Sequence, residues 1–235
     1  MPPTPDDFSE FAHHTPYLPA CCQSWKELLP LAERVICRAG EQMVGHTGGE
    51  MVCYYVESGS CQTSLNMLDG SIENIFIMGA GTLAGLPMTL GGSILPASSL
   101  VCRRGGVFWR FRQSLWTERF VSEHPQQVME CSRMLAICTM SMVNLRMVSR
   151  SGTERGLARF LCGMVHDQRT FRLHPVFSIT QMAQLLGVHR VSLSRLISGL
   201  VERGVLGRYD RDAIEILDPA GLLDLAQGET RFRRR

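Results

Sequence analysis

The stretch Ser178–Arg203 reads SITQMAQLLGVHRVSLSRLISGLVER and has the anatomy of a helix-turn-helix. Thr180 is placed to cap a first helix, because a hydroxyl can accept a free N–H of the opening turn. Ala183 is small enough for a second helix to cross closely above it. Gly187 follows four residues later, where the chain must turn sharply and glycine alone adopts positive φ without steric cost. The second helix is expected from about Arg190, with Val191, Leu193 or Ser194, Leu196, Ile197 and Leu200 marking its buried side. Its other side presents His189, Arg190, Ser192, Ser194 and Arg195, polar groups suited to base edges and phosphates. The bland alternative is a helical hairpin with a solvated face.

Outward from this stretch, GVLGRYDRDAIEILD (204–218) reads as two short strands with a polar tip, the wing of a winged helix, and Arg208 on it is a candidate phosphate contact. Gly221 to Ala226 reads as a short closing helix. The tail Arg231–Arg235 reads as disordered. On the N-terminal side, Arg150-Ser151-Gly152 interrupts the helical pattern and Thr153 is placed to cap the helix that follows. This is the expected hinge and domain boundary.

Between residues 126 and 150 the pattern is helical. Val128, Cys131, Leu135, Cys138, Met142 and Leu145 recur at three and four residues, which is a heptad seam. Met134, Ile137, Ser141 and Val148 form a second stripe beside it. One apolar face suffices for packing within a subunit; two point to a symmetry mate, hence a homodimer.

From Ala32 to about Arg112 the texture differs. Runs such as MVCYYVE (51–57), CQTSLNML (61–68) and ENIFIMG (73–79) are separated by glycine-rich turns, with Asp69-Gly70 as a hairpin signal. Strands at this spacing predict an antiparallel sandwich or roll. The expected fold class is therefore α+β. A proline-rich arm (1–24) drapes over the domain that follows it. An antiparallel β-roll sensor domain (25–125), a dimerisation helix (126–150) and a winged helix-turn-helix (151–235) complete the chain.

Composition narrows the function classes. The 235 residues carry a net charge of only +2, so any basic footprint must be local. Nine scattered cysteines show no C-x-x-C pattern, which predicts reduced thiols in a cytoplasm. No apolar run reaches the length of a membrane span. There is no G-x-S-x-G, no His-rich metal spacing and no paired carboxylates in an apolar setting, so an enzyme is not expected.

A glycine-punctuated β-roll, a long heptad helix, a hinge and a winged helix-turn-helix in this order resemble the Crp/Fnr family of bacterial transcription regulators. The resemblance covers about residues 25 to 226. It is most specific in GVHRVSLSRLISGLVERGVL (187–206), similar to that family's recognition helix. Ser194 and Arg195 fall at the Ser-Arg positions of the E-x-x-S-R signature, and Val191 replaces its glutamate. The pattern H-x-V-[ST]-x-S-R resembles the halorespiration regulators that sense chlorinated phenols at TTAA-type inverted repeats.

The resemblance implies a small-molecule effector, a double-stranded DNA operator, a homodimer, contact with RNA polymerase and a cytoplasmic location. Relatives that bind cyclic nucleotides carry Gly-Glu and Arg-Ser or Arg-Thr in the sensor. Here the corresponding stretches are Gly85-Leu86-Pro87 and Pro96-Ala97-Ser98, so cyclic AMP is not expected: a buried phosphate would lack its arginine. The halophenol branch has a lysine where Leu86 stands. What remains is an apolar, sulfur-rich sensor with Gly85, Leu86, Met88, Ser98, Met134 and Cys138 as candidate effector contacts. Methionines at such spacing also serve as soft core. The alternative is a redox or gas sensor on the same scaffold. Haem is a candidate cofactor, with His13, His14 and His46 as axial ligands; Cys21, Cys22 and Cys37 lack the spacing of an Fe–S cluster, although Cys102 falls near a family ligand position.

Overall fold

The computed structural model describes residues 2–66, 72–91, 98–174, 177–210 and 212–228. The strands β1 (Tyr17–Leu18), β2 (Glu33–Cys37), β3 (Gln42–Met43), β4 (His46–Thr47), β5 (Glu50–Val56), β6 (Ser60–Asn66), β7 (Ile72–Gly79) and β8 (Leu83–Ala84) come first. Helix α1 (Leu86–Gly91), strands β9 (Ser98–Arg104) and β10 (Gly106–Arg112), and helices α2 (Glu118–Glu123) and α3 (Pro125–Arg150) follow. The remainder is α4 (Thr153–Gln168), β11 (Arg172–Leu173), α5 (Ile179–Leu186), α6 (Arg190–Glu202), β12 (Leu206–Tyr209), β13 (Ile214–Ile216) and α7 (Pro219–Gln227). The expected Asp69-Gly70 turn, Pro96-Ala97 and the arginine tail lie outside the described residues.

Two compact units result, Pro16–Met140 and Met1–Thr15 with Ser141–Arg235. In the first, one five-stranded sheet runs β1-β7-β6-β9-β3 and the other runs β2-β10-β5-β4, with β8 added to β5. Every pairing in them is antiparallel except β1 on β7. The antiparallel roll read from the glycine-punctuated runs is present.

The core of this unit is aromatic and sulfur-rich. Tyr54, Tyr55, Phe108, Phe111 and Leu86 are sealed in it, together with Cys131, Met134 and Cys138 from α3. Trp25, in a 3-10 segment over Gln23–Leu31, packs its ring 5.0 Å from Phe111 and 5.3 Å from Trp116. Its indole N–H is satisfied by the Gln127 carbonyl at 3.3 Å, as a buried donor requires. Trp25 thus fixes the start of α3 against the sheets.

In the second unit, α4 is the central helix, buried from Gly156 through Val165 apart from Arg159. The arm divides between the units: Tyr17–Leu18 joins the β unit as β1 on β7, with Leu18 and Cys22 in its core, whereas the residues up to Thr15 belong to this one. The arm's 3-10 segment Pro5–Phe11 packs on α4, with Phe8 and Phe11 buried, Phe8 against Phe171, and Asp6 ion-paired with Arg169. Thr15 donates to Asp167 at 2.5 Å. Gly163 permits this approach, since a Cβ there would lie 2.9 Å from the Thr15 methyl and 3.0 Å from the Phe11 carbonyl oxygen. The cap of α4 is Gly152, at φ +85, rather than Thr153, which is the first residue inside the helix. The wing is the three-stranded sheet β11-β13-β12, and the closing helix is longer than expected, beginning at Pro219 behind an Asp218 cap.

Candidate nucleic-acid interface

Helix α5 is set by a capping box. The Ser178 hydroxyl accepts the Gln181 N–H at 3.3 Å, and the Gln181 side chain accepts the Ser178 N–H at 3.0 Å. This corrects the assignment of the cap to Thr180, which lies inside the first turn, exposed. The S-x-x-Q spacing was the signal that separates the two hydroxyls. Gly187 ends the helix in the left-handed region at φ +66, as the turn required.

Helix α6 then starts behind His189, whose Nδ1 accepts the Val191 N–H at 3.3 Å. Committing Nδ1 to the cap leaves the Nε2–H directed to other acceptors. Leu193, Ile197 and Leu200 are buried, Ser194 and Leu196 are half-buried, and Arg190, Val191, Ser192 and Arg195 are exposed. The sequence placed Val191 and Leu193 together on the inner side; the structure keeps Leu193 there and turns Val191 out, 49% exposed. Two residues apart on a 3.6-residue helix, they cannot share a face.

The exposed side of α6 lines a groove of about 610 Å³ formed by Arg190, Val191, Ser194, Arg195, Ser198, Gly199 and Glu202. No ion pair among the described residues engages Arg190 or Arg195. Arg208 is different. It is ion-paired with Asp210 and lies 3.9 Å from an Asp212 carboxylate oxygen, so the wing tip spends its cation internally. The bond to Asp210 raises the Arg208 pKa, and the Ala213 and Asp212 N–H groups, with Arg208 after them, hold Asp210 at about 2. Arg208, a candidate phosphate contact, is thus held in a local pair at the wing tip.

The candidate effector residues are not brought to one place. Leu86, Met134 and Cys138 belong to the packed core. The Met134 sulfur accepts the Leu83 N–H at 3.3 Å. Met88 and Ser98 meet each other instead, the Ser98 hydroxyl donating to the Met88 sulfur at 3.3 Å, and Gly85 carries the chain into α1. Of the candidate haem ligands, His46 lies on β4 in the β unit, whereas His13 and His14 belong to the unit built on α4. Among the described residues no group of three or more His, Cys, Asp or Glu could hold a metal ion.

The helix seam also needs correction. Cys131, Cys138 and Leu145 are buried inside the protomer, with Gln127, Met134, Ser141 and Val148 completing that inward stripe. Val128 and Leu135 are half-buried on the β unit's core, and Met142 is exposed. The face directly away from the inward stripe carries Met129, Ala136, Met140, Val143 and Met147, all exposed. Neither the expected seam nor the stripe read beside it includes these residues.

Two helices joined by a left-handed glycine and followed by the β12-β13 hairpin of a three-stranded wing sheet define a winged helix-turn-helix. Residues 157–225 match the Crp-like helix-turn-helix domain. Among solved structures, a variant of CprK complexed with OCPA has a TM-score of 0.70 at 13% identity, over 91% of this chain and 98% of that one. A variant of CooA from Carboxydothermus hydrogenoformans gives 0.70 at 14% identity, over 85% and 90%. FixK2 from Bradyrhizobium japonicum gives 0.66 at 20%, over 83% and 96%. No curated protein matches the chain. The fold is shared with solved structures of the Crp/Fnr family, and residues 157–225 form a Crp-like helix-turn-helix domain. No helix of the described residues is long and apolar enough to cross a membrane.

Proposed function

We propose that the chain is a transcription regulator that binds an inverted-repeat DNA operator as a homodimer, under control of a small-molecule effector that is not a cyclic nucleotide. The observation that carries this reading is the outer face of α6: two arginines without ion pairs, held on a helix capped at its start and packed beneath. A rigid, unpartnered, basic helix face is what a major groove accepts. Arg195, about one turn into α6, would engage guanine O6 and N7. Arg190, Ser192 and the His189 Nε2–H suit phosphates, and Ser194 at the groove edge suits phosphate or base. Val191 would meet a thymine methyl. Thr180, at the opening of α5, suits the backbone.

Homodimerisation would use the outward stripe of α3, Met129 to Met147, because five exposed apolar side chains on one helix face would otherwise stay in water. The effector would act in the β unit, with Met88 and Ser98 the candidate contacts still partly accessible. RNA polymerase as a partner and a cytoplasmic location follow from the same reading.

The test begins with operator selection from a random DNA pool. Arg195→Ala is then measured on the selected operator and on random DNA. A loss of about 1–3 kcal/mol per half-site, with relaxed preference at one base pair, is expected on the operator alone. Equal weakening on both DNAs would make Arg195 a phosphate anchor and remove its assigned specificity. No selected operator at all would remove the function.

A further inference from the structure

Eight of the nine cysteines are buried, and Cys21 alone is half-exposed. It sits beside Cys22 in sequence and in space, with the two sulfurs 3.9 Å apart. Cys22 is fully buried behind it and donates its S–H to the Met134 sulfur of α3 at 3.5 Å. One thiol therefore meets solvent while a second waits within contact distance, shielded from it. We propose that Cys21 and Cys22 are a redox modification site, converted by a hydroperoxide to a reversible vicinal disulfide.

The chemistry balances in two steps. The Cys21 thiolate attacks the peroxide oxygen, giving a sulfenic acid and releasing hydroxide, or an alcohol after protonation if the peroxide is organic. The Cys22 thiol then attacks the Cys21 sulfur, forming the S–S bond and expelling water. The peroxide is reduced by two electrons and the two thiols are oxidised by two. Selectivity among the nine thiols has a physical origin, since the thiolate is the nucleophile. Burial pushes Cys53 and Cys138 up to about 12 and raises Cys37, Cys61 and Cys102, whereas Cys21 alone among the nine is half-exposed.

Reversibility also follows from position. Adjacent residues have Cα atoms about 3.8 Å apart, shorter than the roughly 4.4–6.8 Å usual for a disulfide, so the ring is strained and readily reduced. Closing the bond turns the Cys22 sulfur toward Cys21 and away from Met134, breaking a contact to α3. The site is thus coupled to that helix, and its formation does not depend on DNA binding.

The test treats the full chain with hydrogen peroxide, then maps the peptide carrying residues 21 and 22 by mass spectrometry with and without dithiothreitol. That peptide should lose two hydrogens and regain them on reduction. Cys22→Ser should instead accumulate a Cys21 sulfenic acid that dimedone captures, and Cys21→Ser should leave the peptide unoxidised. Because a hydroxyl at a buried position can disturb folding, Cys22→Ala serves as a second variant and should behave like Cys22→Ser. A dimedone adduct on the wild-type chain as abundant as on Cys22→Ala would overturn the proposal. So would a bond from Cys21 to any other cysteine, or a peptide that peroxide leaves unchanged.

Discussion

On α6 the candidate contact residues are those that folding leaves alone, whereas in the β unit the candidates Leu86, Met134 and Cys138 are residues on which folding depends. Arg190 and Arg195 contribute nothing to the core beneath them; Leu193, Ile197 and Leu200 supply that, leaving the outer face to be composed for a partner. Leu86 and Met134 have no such division of labour, being at most 2% exposed. A side chain excused from packing shows its function in its chemistry. One that also packs shows only that it fits.

Paired core truncations would break this comparison most forcefully. Leu193→Ala and Leu86→Ala should each cost about 2–5 kcal/mol of stability, read by denaturant unfolding, if both are packing residues. A cost near zero for Leu86→Ala alone would mean that Leu86 faces a void that a ligand fills, and the contrast would collapse. Arg195→Ala, by comparison, should change stability by no more than about 0.5 kcal/mol.

Next in size is self-association. Each Met or Val of the outward stripe of α3 contributes about 1.5–3 kcal/mol when fully covered. Met140→Glu, present twice in a dimer, should therefore shift sedimentation toward the 26.3 kDa monomer. A dimer unaffected by Met140→Glu but lost with Leu135→Glu would return the interface to the original seam.

A smaller effect distinguishes two arginines of the DNA-binding unit. Because Arg208 is paired with Asp210, Arg208→Ala should change the salt dependence of DNA binding by well under the roughly 0.9 unit of one lost phosphate contact. A full unit would show that the pair opens on DNA.

The smallest is a pH effect on the docked arm. Burial lowers the His14 pKa below its ordinary 6.5, against weaker opposing bonds to the Ala12 and Phe11 carbonyls. The unfolded chain thus takes up the proton more readily than the folded one. The stability that neutral His14 contributes is complete above about pH 6.5 and is lost as pH falls toward the folded value. Thermal unfolding of the wild type should show this acid loss, and His14→Asn should lack it.

Legibility followed the range of the physics. The helix-turn-helix is encoded within a few residues, in Ala183, Gly187 and an apolar period of three and four, and so it was readable. Two hydroxyls stand near the start of α5, and only Gln181 three residues after Ser178 chooses between them. On α3, apolar residues on more than one face do not declare which faces inward; packing on the rest of the protomer decides that. The arm carries no periodic signal, and its partners are over a hundred residues away. Arg208 and Asp210 are two residues apart, a local pair that the sequence offered and the reading of the wing did not take up.

The arm's placement carries a consequence for how the chain is made. Thr15 and Asp167 are separated by 152 residues, and everything between Pro16 and Met140 belongs to the other unit. During synthesis at roughly 5–20 residues per second, Phe8 and Phe11 leave the ribosome about 8–30 s before α4 exists to receive them. The β unit can close in that interval while the arm waits with two aromatic rings in water, and a chaperone that holds such segments would find its first target there.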